Sequence, residues 1–254
     1  MSVDPVFVLV AAGAVFIVAL AKSGLLSSLG LLGVPLLTLV MGAREAAALM
    51  LPLLLVMDAI ALIAWRREVS WRNLAILFPG ALLGTGAGWL FWAVTSENAV
   101  RLLIGIISLV FVLDAWLPLR QKLAAVKPST PWGIVCGTLA GFTSFVSHTG
   151  GPPFQIFVLP QRLSPAVYAG TTAVFFAALN GAKVFPYLSL GQLNAEILRL
   201  ALWFFPVAIA GMLIGIWAMR RISTEFFYRL AYVLVFLLGL KLVWDGAAGL
   251  WLPA

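Results

Sequence analysis

Apolar runs as long as Ala46–Trp65, Leu74–Val94 and Leu102–Leu117 leave a chain few ways to fold. A helix crossing the hydrocarbon core needs about 20 apolar residues, and these runs reach or approach that length. A buried α/β core would need polar loops and amphipathic strands between the runs, and the sequence has neither. Charged residues fill only 10% of the 254 positions, against about 25–35% on a soluble surface. The expected fold class is an all-α integral membrane protein with no room for a soluble domain.

The formal charge is +7, carried by basic residues in short loops between apolar runs. That distribution marks membrane topology and contact with the lipid bilayer, and no nucleic-acid partner is expected. Positive charge gathers in Arg66–Arg72, Arg120–Lys127 and Arg220–Arg229, and is sparse at Thr95–Asn98, at Ser189–Glu196 and at both termini. Placing the three basic loops in the cytoplasm satisfies the positive-inside rule and puts both termini outside. Met1–Ala21 lacks the basic start of a cleaved signal peptide and is expected to remain as the first membrane element. Cys136 is the only cysteine, so neither an internal disulfide nor a cysteine metal cluster is expected. Trp65, Trp71, Trp132, Trp244 and Trp251 lie near run ends as interfacial anchors and are assigned no ligand.

Glycine and proline landmarks repeat along the chain. Pro79, Gly84, Gly88 and Ser96 return 127 positions later as Pro206, Gly211, Gly215 and Ser223, while Gly33 and Pro35 return after 118 as Gly151 and Pro153. Residues 1–127 and 128–254 thus read as two repeats of one membrane domain, a signature of many secondary transporters. The basic loop Arg66–Arg72 corresponds to the poorly charged Ser189–Glu196, so the repeats are expected to be inverted. Each holds five apolar elements: Pro5–Ala21, Leu25–Val40, Arg44–Trp65, Trp71–Val94 and Asn98–Leu117, then Pro131–Phe145, Pro152–Leu159, Pro165–Tyr187, Ala195–Met219 and Thr224–Leu250. The first two of each half are short, either thin tilted spans or a re-entrant pair broken near the midplane.

The breaks between those short elements hold the candidate site. One carries Lys22, Ser27, Ser28, Gly30, Gly33 and Pro35; the other carries Thr143, Ser144, Ser147, His148, Gly150, Gly151, Pro152 and Pro153. Irregular backbone at membrane depth survives only when buried in protein or lining a polar cavity. A helix restarting after Gly-Pro-Pro is expected to aim free N–H groups and a positive dipole end at such a cavity, where an anion fits. Close helix packing through Gly and Ser is the competing reading.

Ionisable residues inside apolar runs each cost a few kcal/mol or more. Asp58 lies well inside its run and is the candidate for proton coupling, with Asn180 at the matching place in the second half. Lys22 and Lys183 are candidates to offset substrate charge, although Lys183 sits close enough to an end to snorkel. His148 is the sole histidine, a ligand, proton carrier or structural imidazole. Thr171 joins the substrate-binding candidates, although it and Thr172 could bond to their own helix. Lys241 and Asp245 are spaced to neutralise each other.

Several of these residues resemble a known family. Gly141-Phe142-Thr143-Ser144-Phe145 followed by His148-Thr149-Gly150-Gly151-Pro152-Pro153-Phe154-Gln155 is similar to the second-half signature of the sulfite exporter TauE/SafE family, the toluene-sulfonate uptake permease group. Gly170-Thr171-Thr172, Asn180 with Lys183, Pro186-Tyr187 and Gly30–Leu37 match as well. Leu25-Leu26-Ser27-Ser28 departs from the expected pattern, which has more glycine. The resemblance implies a secondary transporter of small sulfur-containing anions such as sulfite or organosulfonates across a bacterial inner membrane. Sulfonate oxygens only accept hydrogen bonds, so Ser, Thr, N–H and Lys suit them.

Alternative readings are a carrier of another small anion such as a carboxylate, an intramembrane hydrolase using Ser144 or Ser147 with His148, and a non-transporting scaffold. No cofactor is expected, and no nucleotide-binding loop is present in the sequence. A homo-oligomer stays open, because Gly-x-x-x-Gly at Gly80–Gly84 and Gly84–Gly88 could pack helices within one chain or between two.

Overall fold

The computed structural model describes residues 4–23, 27–65, 67–117, 129–218 and 225–251, without the side chains of 27–29, 218 and 225–231. The described residues form helices and no strand. In chain order these are α1 (Pro5–Lys22), a 3-10 turn (Ser27–Leu32) running into α2 (Gly33–Leu37), α3 (Ala43–Trp65), α4 (Trp71–Val94) and α5 (Glu97–Trp116). Then follow α6 (Thr130–Ser147), α7 (Gly151–Val158) with a 3-10 turn (Leu159–Gln161), α8 (Pro165–Ser189), α9 (Ala195–Ala218) and α10 (Glu225–Trp251).

The helix starts follow ordinary capping chemistry. Asp4 accepts the Phe7 N–H at 2.6 Å with Pro5 at the first helical position. Ser96, Ser129 and Ser164 do the same for α5, α6 and α8 through the N–H groups of Ala99, Trp132 and Val167. Among the described residues six helices are long and apolar enough to cross a membrane: α1, α3, α4, α5, α9 and the Tyr232–Trp251 part of α10. By contrast α2 and α7 have five and eight residues. At about 1.5 Å per residue neither crosses a core of about 30 Å.

Glycine sets which helices touch. A Cβ at Gly80 would lie 2.1 Å from the Ile134 carbonyl oxygen, and one at Gly84 would lie 1.9 Å from that of Thr138. From the other side, Gly137 and Gly141 meet the carbonyls of Leu77 and Ala81. The Gly-x-x-x-Gly stripe of α4 therefore packs against α6 inside the chain. Gly211 and Gly215 of α9 press on Ala19 and Ser23 at the end of α1, while Gly105 and Gly246 join α5 to α10. Along its length α3 packs against both α8 and α9.

Candidate functional site

Between α1, α2 and α3 on one side and α7 and α8 on the other lies a cavity of about 260 Å³. Met50, Leu54, Asp58, Ala61 and Trp65 line it from α3, spaced three or four apart on one helical face. Opposite them stand Pro165, Tyr168, Thr172 and Phe176 of α8. The cavity thus runs from the two breaks toward the end of the molecule where α3 stops and α8 begins. Lys22, Ser23, Gly30 and Gly33 form its wall at the first break, and Ser147, His148, Thr149, Gly151, Pro152 and Gln155 at the second.

Asp58, only 3% exposed, is held on both carboxylate oxygens. One pairs with the Lys22 ammonium, and the other accepts the Asn180 side-chain N–H at 2.5 Å. Asp58 of α3 and Asn180 of α8 therefore bond to each other. The Lys22 ammonium also lies 5.7 Å from the centre of the Phe176 ring.

Lys183 corrects the snorkelling expectation: it is fully buried and reaches inward. Its ammonium donates to the Ser144 carbonyl at 2.9 Å, to Ser144 Oγ at 3.0 Å and to His148 Nδ1 at 2.7 Å. A lysine has three N–H donors, and all are engaged. His148 Nε2 faces the Ala47 carbonyl at 2.9 Å, which only accepts. That nitrogen carries the proton, and Nδ1 accepts from Lys183. His148 adopts a left-handed conformation, φ 57°, as it caps α6, and its bonds on both ring nitrogens fix the break.

Thr143, Ser147 and Thr149 satisfy one another at the same break: Ser147 Oγ and Thr149 Oγ1 are 2.7 Å apart, and Thr143 Oγ1 bonds to the Leu139 carbonyl at 2.8 Å. Neither Ser144 nor Ser147 touches the imidazole, so the nucleophile–base contact that a serine hydrolase needs is not formed. The helix restart offers fewer donors than expected. Gly151 opens α7, Pro152 and Pro153 lack N–H groups, and the Phe154 N–H bonds to the Gly150 carbonyl at 3.4 Å.

Not every candidate reaches the cavity. Thr171 donates to the Val167 carbonyl at 2.6 Å and accepts the Ser70 N–H at 2.9 Å, which ties the α3–α4 loop to α8. Beside it, a Cβ at Gly170 would meet the Glu68 carbonyl oxygen at 2.1 Å, so the Gly170-Thr171 pair serves that packing. Thr143, Ser144, Asn180 and Lys183 stand behind the cavity wall, bonded to residues that line it. Pro35 is buried within α2, and Pro153 within α7. The side chains of Ser27 and Ser28 lie outside the described residues. Sequence reasoning missed Trp65, Tyr168, Thr172 and Gln155 as wall residues; Gln155 and Thr172 belonged to the matching motifs, Trp65 was read as an interfacial anchor, and Tyr168 carried no signal beyond helical spacing.

Residues 11–242 match the sulfite exporter TauE/SafE family. The chain belongs to this family. It is also similar to the probable membrane transporter protein y4hK of Sinorhizobium fredii, with 30% identity over 190 residues, 70% of this chain and 73% of that protein. No solved structure matches it. Membership of the TauE/SafE family makes the chain a multi-pass membrane transporter, and the cavity joining its two breaks is the candidate site of transport.

Proposed function

We propose that the protein is a secondary transporter that carries an organosulfonate-type anion across a bacterial inner membrane through the cavity between its two breaks. The observation that carries this reading is the composition of the wall. Lys22 and Asp58 cancel each other's charge, and Lys183 lies behind the wall with no carboxylate within ion-pair distance among the described residues, so the wall carries no net negative charge to repel an anion. Lys22 uses one N–H on Asp58 and has further donors for an acceptor-only head group. Most of the remaining wall is apolar, with Val18, Leu31, Val34, Met50, Leu54, Tyr168 and Phe176. A bare oxyanion gains nothing from such a surface, whereas an organic body gains about 25 cal/mol for each Å² it buries. An organosulfonate therefore suits the cavity better than sulfite.

The packing supports two inverted repeats, residues 1–127 and 128–254. Under exchange of the repeats, α1 corresponds to α6, α3 to α8, α4 to α9 and α5 to α10. The observed neighbours α4 with α6 and α1 with α9 then exchange, and the pairs α3 with α8 and α5 with α10 map onto themselves. The loop Ser70 lies against the start of α8, while the loop after α8 shares a pocket with Arg44 and Glu97 at the other end. Corresponding loops thus lie at opposite ends, as inversion requires. Re-entrant pairs formed by α1 with α2 and α6 with α7 fit the shortness of α2 and α7. With the basic loops inside, the cavity faces the cytoplasm.

The test is thermal stabilisation of purified protein by toluenesulfonate, taurine, sulfite, sulfate and benzoate. A ligand binding only the folded state at 100 times its Kd adds about 2.7 kcal/mol. Stabilisation by sulfonates, lost in the charge-balanced Lys22→Ala, Asp58→Asn variant, supports the reading. Equal or absent response to all five anions removes it, and a preference for benzoate transfers the site to carboxylates.

A further inference from the structure

We infer that the bodies that move against each other during transport are not the two sequence repeats but two swapped units, each made of three elements of one repeat and the fourth helix of the other. The inference rests on the transport reading above and concerns which parts move.

The first unit comprises α4, α6, α7 and α8. Although α4 belongs to the first repeat, its backbone lies against that of α6 with no side chain between. Gly80 and Gly84 face carbonyl oxygens of α6, and Gly137 and Gly141 face those of α4. Two helices in backbone contact cannot slide or separate without opening a void along the whole seam. One hydrophobic cluster is drawn from these four helices alone: Leu74, Leu77 and Ala81 from α4, Cys136 and Ala140 from α6, Phe154, Phe157 and Val158 from α7, Phe175 and Leu179 from α8. Ser70, the residue before α4, bonds to Thr171 of α8 and adds a polar tie inside the same unit.

The second unit comprises α1, α2, α3 and α9. Here α9, from the second repeat, presses Gly211 on Ala19 and Gly215 on Ser23, and packs along α3. Repeat exchange converts one unit into the other.

Between the units the packing runs mostly through side chains: Trp92, Phe145, Val146 and Tyr187 share the apolar core with α1, α2 and α3, and Gly170 of α8 approaches the Trp65 carbonyl where α3 ends. They meet chiefly along α3 and α8, with Asp58 and Asn180 bonded partway along that seam. From Met50 past Asp58 to Trp65 the cavity lies between them. Toward the start of α3 they are latched: His148 of the α6–α7 break donates to the Ala47 carbonyl of α3, and Arg44 of α3 donates to the Trp92 carbonyl at 2.9 Å and to the Thr95 carbonyl at the end of α4. The Arg44 guanidinium also lies 5.7 Å from the Trp92 ring centre. A cavity toward one end of the seam and releasable polar contacts toward the other describe one state of a rocking pair. Rocking of whole repeats would instead have to tear the α4–α6 and α1–α9 seams.

Nitroxide pairs read by electron–electron double resonance in lipid nanodiscs separate the two schemes. On a Cys136→Ser background, the pairs Leu39→Cys with Leu198→Cys and Val94→Cys with Leu188→Cys lie within one swapped unit but span the repeats. The pairs Leu39→Cys with Val94→Cys and Leu188→Cys with Leu198→Cys lie within one repeat but span the units. All four positions are exposed. The swapped units predict narrow, fixed distances for the first two pairs, and broad distributions that shift on adding toluenesulfonate for the last two. The reverse pattern, or four narrow distributions with and without the anion, overturns the inference. A wrong substrate class leaves a separate trace: the last two pairs stay broad without the anion and do not respond to it.

Discussion

At the scale of single residues, the site is built from buried charges whose donors and acceptors are nearly all assigned, and this sets how substitutions behave. Asp58 is 3% exposed and depends on Lys22 and Asn180. Removing one member of a buried pair strands the other, at a loss of about 3–5 kcal/mol, whereas removing both is far milder. Lys22→Met is expected to lower the melting temperature sharply, and Lys22→Met with Asp58→Leu to restore most of it without restoring transport. Melting of the two single variants and the double variant measures the coupling, and additive losses would show that the pair is not one unit. Lys183 poses the opposite case, because its three bonds end on neutral groups. Lys183→Met leaves His148 Nδ1 without its donor and takes one from Ser144 Oγ, while the Ser144 carbonyl keeps the His148 N–H, at about 1–3 kcal/mol for an orphaned group. Its melting temperature should fall by more than that of Thr172→Val, whose hydroxyl bonds only to its own helix at the Tyr168 carbonyl among the described residues.

At the scale of helices, glycines that look alike in sequence differ in what surrounds them. Gly84 faces the Thr138 carbonyl oxygen, with no room for a methyl group, while Gly86, two residues on, has nothing within 4 Å. Gly84→Ala should break the α4–α6 seam and reduce the yield of folded protein. Gly86→Ala should be neutral or stabilising by up to about 1 kcal/mol, the ordinary helix preference of alanine. Comparing the two by detergent-resistant melting checks the seam directly, and equal behaviour would remove it. The same contrast explains what was legible beforehand. Apolar runs, interrupted at glycine and proline, marked nearly every helix, with ends shifted by a few residues, because those signals are local. Which helix lies against which was not written locally, so Gly80-x-x-x-Gly84 read equally well as an oligomer face. Lys22, Asp58 and His148 stood out because ionisable groups are rare at membrane depth. Trp65, Tyr168 and Thr172 did not, because aromatic residues and threonine are ordinary there and only the tertiary packing turns them toward the cavity.

At the scale of the whole molecule, sidedness connects the cavity to its use. The loop containing Glu68 lies at the end where α3 stops and α8 begins, the end toward which the cavity runs. Ala195, at the start of α9, lies at the opposite end beside the pocket lined by Arg44, Glu97 and Gln192. In the orientation proposed above, the positive charge near Arg67 and Arg72 puts the first end in the cytoplasm, since basic loops resist translocation. The single native thiol, Cys136, is 1% exposed and does not compete for reagent once replaced by serine. In Cys136→Ser cells, a membrane-impermeant maleimide should therefore label Ala195→Cys from outside, and Glu68→Cys only after the membrane is opened. That result fixes the cavity as the cytoplasmic mouth, from which the carried anion enters the state seen here. Labelling of Glu68→Cys in intact cells would turn the molecule over. The same cavity would then receive its anion from outside, and the Arg44–Trp92 latch would close the cytoplasmic side instead.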